Sequence, residues 1–230
     1  MANEPAREAR RANVETGAKT DVVIVGAGGF GREVLQYVRD AFAADPTVRV
    51  KGFLDDRPVD LAAFGLDLTV LGDTRTYEPE PDDRFVIAVG HPPLRTALAE
   101  RLAARGARFL TVVHPLAFVA ASARIGEGCI LAPFATVGAH ASIGAHTVLT
   151  FYASVGHDAR VGRSCALSPH AVTNGGTLIG DEVFLGAHSV VNPLQRVDDG
   201  AKVAAGAVVY RAVPPRTLAA GNPAKSRPSW

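Results

Sequence analysis

Residues 143–162 read Ile143-Gly-Ala-His-Thr-Val-Leu149-Thr-Phe-Tyr-Ala-Ser-Val155-Gly-His157-Asp158-Ala-Arg-Val161-Gly162, with an aliphatic residue at every sixth place. Counting outward in sixes, from Val113 to Val209, meets seventeen positions, of which sixteen are aliphatic and one, Thr173, is not. The place after each is usually Gly, Ala or a small polar residue, and the fifth place is usually Ala, Ser, Thr, Val or Cys. A period of six fits neither the 3.6 of a helix nor the alternation of a two-layer sheet. It fits a solenoid in which each unit is one short strand and a turn. Three units make a coil, the aliphatic residue points into a triangular prism, and the small residues let the chain turn tightly. A β-sandwich would instead show hairpin signals at irregular spacing.

Ahead of the repeat, Asp21-Val-Val-Ile-Val-Gly26-Ala-Gly28-Gly29-Phe30-Gly31 is an apolar strand, a glycine turn and a helix start, matching G-x-G-x-x-G in its strand-turn-helix context. Backbone amides at such a helix start favour a phosphate. A second strand from Val48 ends in Asp55 and Asp56, and a third, from Arg84, ends at Gly90. Residues 92–105 read as a helix with Leu94, Leu98 and Leu102 on one face. The alternation predicts a small Rossmann-like α/β domain with its ligand at the carboxyl ends of the strands. About 90 residues suit one mononucleotide half and are short for a full dinucleotide fold. A nucleotide-linked ligand, NAD and a purely structural glycine turn all remain as readings. The divisions expected are a flexible tail at 1–20, the front domain at 21–112, the solenoid at 113–212 and a C-terminal tail at 213–230.

The 230 residues are 47% apolar and 20% charged, with a formal net charge of +1. That balance gives no reason to expect nucleic acid or an anionic membrane as partner. The first twenty residues lack an apolar signal core, and no later run reaches the roughly 18 apolar residues of a spanning helix, so the cytoplasm is the expected compartment. Cys129 and Cys165 occupy the same place two coils apart, roughly 10 Å at the usual strand spacing. A disulfide needs less than about 7 Å between Cα atoms.

The repeat resembles the hexapeptide-repeat acyltransferases, which implies a left-handed parallel β-helix. Together with the α/β front domain and the ending Ala220-Gly-Asn-Pro-Ala-Lys225, residues 20–226 look like the NeuD/PglD-type sugar acetyltransferases. That resemblance implies a nucleotide sugar held in the front domain by Gly28, Gly29, Phe30, Asp55, Asp56 and Gly90. It also implies acetyl-CoA as acyl donor and a homotrimer with coenzyme sites between neighbouring prisms. Relatives often carry His where this chain has Phe30.

Acyl transfer to an amine or hydroxyl needs a base, and imidazole titrates near the working pH. His157 holds the third place of its unit and projects away from the prism, with the Asp158 carboxylate beside it to orient the ring. In the resembling family this His-acid pair is base and helper, so His157 and Asp158 are the catalytic candidates. His140, His146, His170 and His188 all fall at the fourth place and read as solvated turn residues, with His188 stacked on His170 and Asp158 on His140. Several relatives have a coenzyme-contacting His where this chain has Ala166. Gly175 matches a glycine bordering the coenzyme, and Ala205 stands where another glycine would. No metal is expected, since the hexapeptide carbonic anhydrases pair two His five residues apart and no such pair occurs here. That metal enzyme type and a non-catalytic assembly subunit are the competing readings.

Overall fold

The computed structural model describes residues 19–228. The tail expected at the N-terminus lies outside the described residues as far as residue 18, and the first strand already starts at Thr20. That strand, β1 (Thr20–Val25), is buried along its whole length. It lies between β2 (Val48–Leu54) and β4 (Asp83–Ile87) in a parallel sheet of order β3-β2-β1-β4, with β3 (Val70–Gly72) at the edge. An unbroken apolar run is what a parallel strand covered on both faces requires. Helix α1 (Gly29–Ala41) follows the glycine turn, and α2 (Pro92–Ala103) follows β4. Gly26 takes φ 102°, and any side chain on Gly31 would run into the Gly26 carbonyl. The third glycine of the turn is therefore there for close packing of helix on strand.

The buried face of α2 differs from the expected leucine stripe. Leu94 is exposed, whereas Arg95, Leu98, Ala99 and Leu102 are buried. The i, i+3, i+4, i+7 pattern starts one residue later than the leucines suggest.

From Val112 onward, two-residue strands stack every eighteen residues into three walls. Wall one presents Val112, Ile130, Val148, Ala166, Phe184 and Lys202 outward in register. Wall two presents Phe118, Thr136, Ser154, Val172, Val190 and Val208. Wall three presents Arg124, Ser142, Arg160, Leu178 and Arg196. The inward residues form one continuous apolar core. Thr173, the polar exception, is buried among them. At the corners, the fourth place of the unit takes left-handed backbone, with φ of 57–60° at His140, His146, Tyr152, Asp158, His170 and His188. Both cysteines are free and buried.

Front domain and solenoid share a core: Val34, Tyr37 and Val38 of α1 pack with Val112, Ile130 and Val148 of wall one. Arg95 fastens the junction. Its fully buried guanidinium donates to the carbonyls of Val89 and Gly90 on one side and of His146 and Cys165 on the other, at 2.8–3.2 Å. Burial holds its pKa down to about 10. Residues from 213 on, expected as a tail, carry further strands. Thr217–Ala220 extends wall one in parallel, and Lys225–Pro228 pairs with it antiparallel. No helix among the described residues is long and apolar enough to cross a membrane.

Candidate active site

His157 and Asp158 form the corner between walls two and three, after the Ser154–Val155 strand and before Arg160–Val161. The corner is held by its backbone. The Asp158 amide donates to Ala139 O and the His157 carbonyl accepts from Gly176, each at 2.9 Å. The side chains stand out from it, 73% and 61% exposed, with His157 Nδ1 2.8 Å from Asp158 Oδ2. A carboxylate on Nδ1 favours the tautomer with its proton there and leaves the lone pair on Nε2. That nitrogen lies over Gly175, one coil further on, where a methyl group would stand 2.5 Å from it. Gly175 thus supplies the space the imidazole occupies.

The remaining fourth-place histidines divide. His140 lies on the same corner and lines a polar cleft with Arg124, Ser142, Asp158 and Arg160. His170 and His188 are exposed and end a ladder of stacked rings, Phe134, Tyr152, His170, His188, with centroids 4.8, 4.8 and 4.6 Å apart. His146 is not the solvated turn residue expected. Its ring packs edge-on against Phe109 at 4.6 Å, and burial, then the charges of Arg95 and Arg163, push its pKa down to about 4. The front domain covers this corner, which the six-residue period could not show.

Among the expected acceptor residues, Gly28 caps α1 and Gly29 opens it. Phe30 and Gly90 line a cleft against wall one together with Arg95, Thr150, Ala166 and Phe184. Both acids already have partners within the front domain, Asp55 with its side chain buried and Asp56 nearer the surface. Asp55 Oδ2 accepts the Ala27 amide of the glycine turn at 2.9 Å. Asp56 accepts the Thr74 amide and hydroxyl at 2.8 Å. Burial pushes the Asp56 carboxyl up, but these bonds and the charges of Arg75 and Arg101 outweigh it and hold it below the usual range. One amide of the glycine turn is therefore already taken by an anion.

One chain does not bring the expected coenzyme residues together. Gly175 adjoins His157, Ala166 lies on wall one in the front-domain cleft, and Ala205 sits at the corner between walls one and two. Arg95, which borders that cleft, was passed over in the sequence. Its place on the stripe with Leu98, Ala99 and Leu102 was the available signal. Among the described residues no three His, Cys, Asp or Glu converge as metal ligands.

Residues 21–102 match the PglD N-terminal domain family. Over 116 residues the chain is 35% identical to UDP-N-acetylbacillosamine N-acetyltransferase of Bacillus subtilis (strain 168), covering 48% of this chain and about half, 50%, of that relative. A variant of perosamine N-acetyltransferase from Caulobacter crescentus, solved in complex with CoA and GDP-perosamine, superposes with a TM-score of 0.82 at 30% identity, over 92% of this chain and 99% of that one. The acetyltransferase domain of PglB from Neisseria gonorrhoeae FA1090, in complex with acetyl coenzyme A, superposes at 0.80 with 29% identity, over 91% and 100%.

Proposed function

The chain belongs to the PglD-type sugar N-acetyltransferases, enzymes that use acetyl-CoA, and we propose that it acetylates an amine of a nucleotide-linked sugar with His157 as general base. The observation that carries this reading is the corner itself: an exposed imidazole, oriented through Nδ1 by Asp158, with Nε2 lodged over a residue that has no side chain. Nε2 accepts a proton from the sugar amine as its nitrogen attacks the thioester carbonyl. Asp158 stabilises the imidazolium that results. Collapse of the tetrahedral intermediate forms the amide, breaks the C–S bond and expels the thiolate, which takes the proton back from Nε2 as CoA leaves.

The acceptor in this reading sits in the front-domain cleft of Phe30 and Gly90. That cleft lies on wall one, whereas His157 lies on the opposite edge of the triangular prism, between walls two and three. An acceptor held there reaches the His157 corner of a neighbouring copy, not its own. A homotrimer brings these surfaces together by closed threefold symmetry, and the outward Phe118, Val172, Val190 and Val208 of wall two give it an apolar contact. Ala166 then meets the coenzyme from one subunit and Gly175 from the next, while Ala205 lies further along the groove. The cytoplasm, where acetyl-CoA is made, is the compartment this reaction requires.

The test is mass-spectrometric turnover of acetyl-CoA against UDP- and GDP-linked amino sugars and their hydroxyl counterparts. His157→Ala lowers turnover about 10²- to 10⁴-fold, the usual worth of a positioned base, and Asp158→Asn lowers it less. Undiminished turnover in the His157 variant removes the mechanism. Acetylation of the hydroxyl sugars alone would make the enzyme an O-acetyltransferase, and a monomeric mass in light scattering would remove the shared site.

A further inference from the structure

Two arginines beside the catalytic corner have no role in the reaction so far. Arg124 and Arg160 project from wall three on either side of Ser142, one rung away in each direction, which places their Cα atoms about 10 Å apart. With His140 and Asp158 they line one polar cleft. The third arginine of the wall, Arg196, is held by Asp198, Nε to Oδ1 2.8 Å. Neither Arg124 nor Arg160 has an acidic partner within 4.0 Å among the described residues, and the Asp158 carboxylate in the same cleft is turned to His157. Two cations without an acidic partner therefore flank Ser142, in a cleft that also takes in Asp158, the residue that orients the base.

We propose that Arg124 and Arg160, with His140 at the rim, form an anion subsite that takes the diphosphate of the nucleotide-sugar acceptor. The inference rests on the acetyltransferase reading above and adds the groups that hold the acceptor at the reacting end. A guanidinium presents a planar fork of donors that matches phosphate oxygens two at a time. Two forks separated by a single serine rung can grip adjacent phosphoryl groups from opposite sides.

Both substrates carry a diphosphate, and position distinguishes them. In a nucleotide sugar the diphosphate is bonded to the sugar ring itself, so when the amine lies at His157 the phosphates fall within one ring width of it. In acetyl-CoA the whole pantetheine arm separates the thioester from the pyrophosphate. The cleft shares Asp158 with the catalytic pair, a placement that suits the first better than the second. The glycine turn, the other phosphate candidate, already has its Ala27 amide occupied by the Asp55 carboxylate. The acceptor is thus gripped from both sides, its nucleoside by one subunit's front domain and its diphosphate by the neighbour's wall three.

Isothermal titration of the full chain with UDP, GDP and acetyl-CoA as probes tests this, in the wild type and in Arg124→Gln, Arg160→Gln and the double variant. Each single substitution should weaken nucleoside diphosphate binding about tenfold, and the double variant about 100-fold, as expected for losing charge-assisted hydrogen bonds. Acetyl-CoA affinity should stay within about twofold throughout. Arg196→Gln, on the same wall but already paired, should change neither. Unchanged nucleotide binding in the double variant, with a wild type that binds and turns over, overturns the subsite and leaves the acetyltransferase reading standing. Loss confined to acetyl-CoA assigns the arginines to the coenzyme and equally overturns the proposal. So does a changed mass in light scattering, which would make them subunit contacts. A wild type that neither binds these nucleotides nor acetylates any linked sugar removes the acceptor reading and the subsite with it.

Discussion

Replacing Gly175 by Ala isolates the placement of the base from its chemistry. The backbone at Gly175 does not fall in the left-handed region, so alanine is conformationally acceptable there. Its methyl carbon, however, would stand 2.5 Å from His157 Nε2 and 2.6 Å from Cε1. Ordinary van der Waals contact begins near 3.4 Å, so the ring must retreat by about 0.9 Å. It can do so cheaply, because the side chain is 73% exposed and, among the described residues, is anchored through Nδ1 to Asp158 alone. The fold should be untouched while His157 Nε2 is misplaced by about an ångström, an error that, for the proposed base, costs on the order of 10²-fold in rate. Single-turnover acetylation at saturating acetyl-CoA should show that loss in the chemical step, with the thermal midpoint close to wild type. Adding Gly175→Ala to His157→Ala should cost almost nothing more, since the two act through one ring. A Gly175→Ala enzyme within twofold of wild-type turnover would show that the imidazole does not work from the position described.

Replacing Asp55 and Asp56 by Ala should raise the acceptor KM and leave the acetyl-CoA KM nearly unchanged, because Asp55 braces the glycine turn through Ala27 and Asp56 ties Thr74 near Arg101. Steady-state kinetics with each substrate varied separates the two. His146 should make the fold acid-sensitive. Its folded pKa of about 4 lies below its ordinary 6.5, so its contribution is fully present above pH 6.5 and is lost as pH falls through 4. Calorimetric midpoints across that window should fall less steeply in His146→Asn, a residue that tolerates the local φ of 58°. Identical slopes would exclude His146 as the titrating group.

The prism was legible because its rule is local: sixteen aliphatic residues in seventeen sixth places leave one arrangement that buries them all. His157 was legible for the same reason, as the histidine that left the fourth place, and the structure puts its ring against Asp158. What the period could not carry is contact across the chain. His146 and His140 occupy the same place of the unit, and only the Phe109 and Arg95 packing of a separate domain makes one neutral and covered while the other stays wet. Ala166 was carried over from the resemblance, and the period did not show that it lies half a coil from His157, on the wall under the front domain. Asp55 and Asp56 were expected among the residues that hold the acceptor, and the partners they have within the chain, Ala27 and Thr74, lie 28 and 18 residues distant.

The eighteen-residue frame also governs how such a chain can change over generations. Gly175 sits beneath His157, and Arg124 and Arg160 beside Ser142, only because each coil repeats the same length with no residue added or lost. A slip of one residue would swing the aliphatic ladder out of the prism and everything beyond it with it. A gain or loss of a whole coil leaves every wall in register. Inheritance in this fold is therefore quantised. Surfaces can be lengthened, exchanged or borrowed in cassettes of eighteen, and a corner such as that of His157 and Asp158 can pass intact while the domain in front of it is replaced.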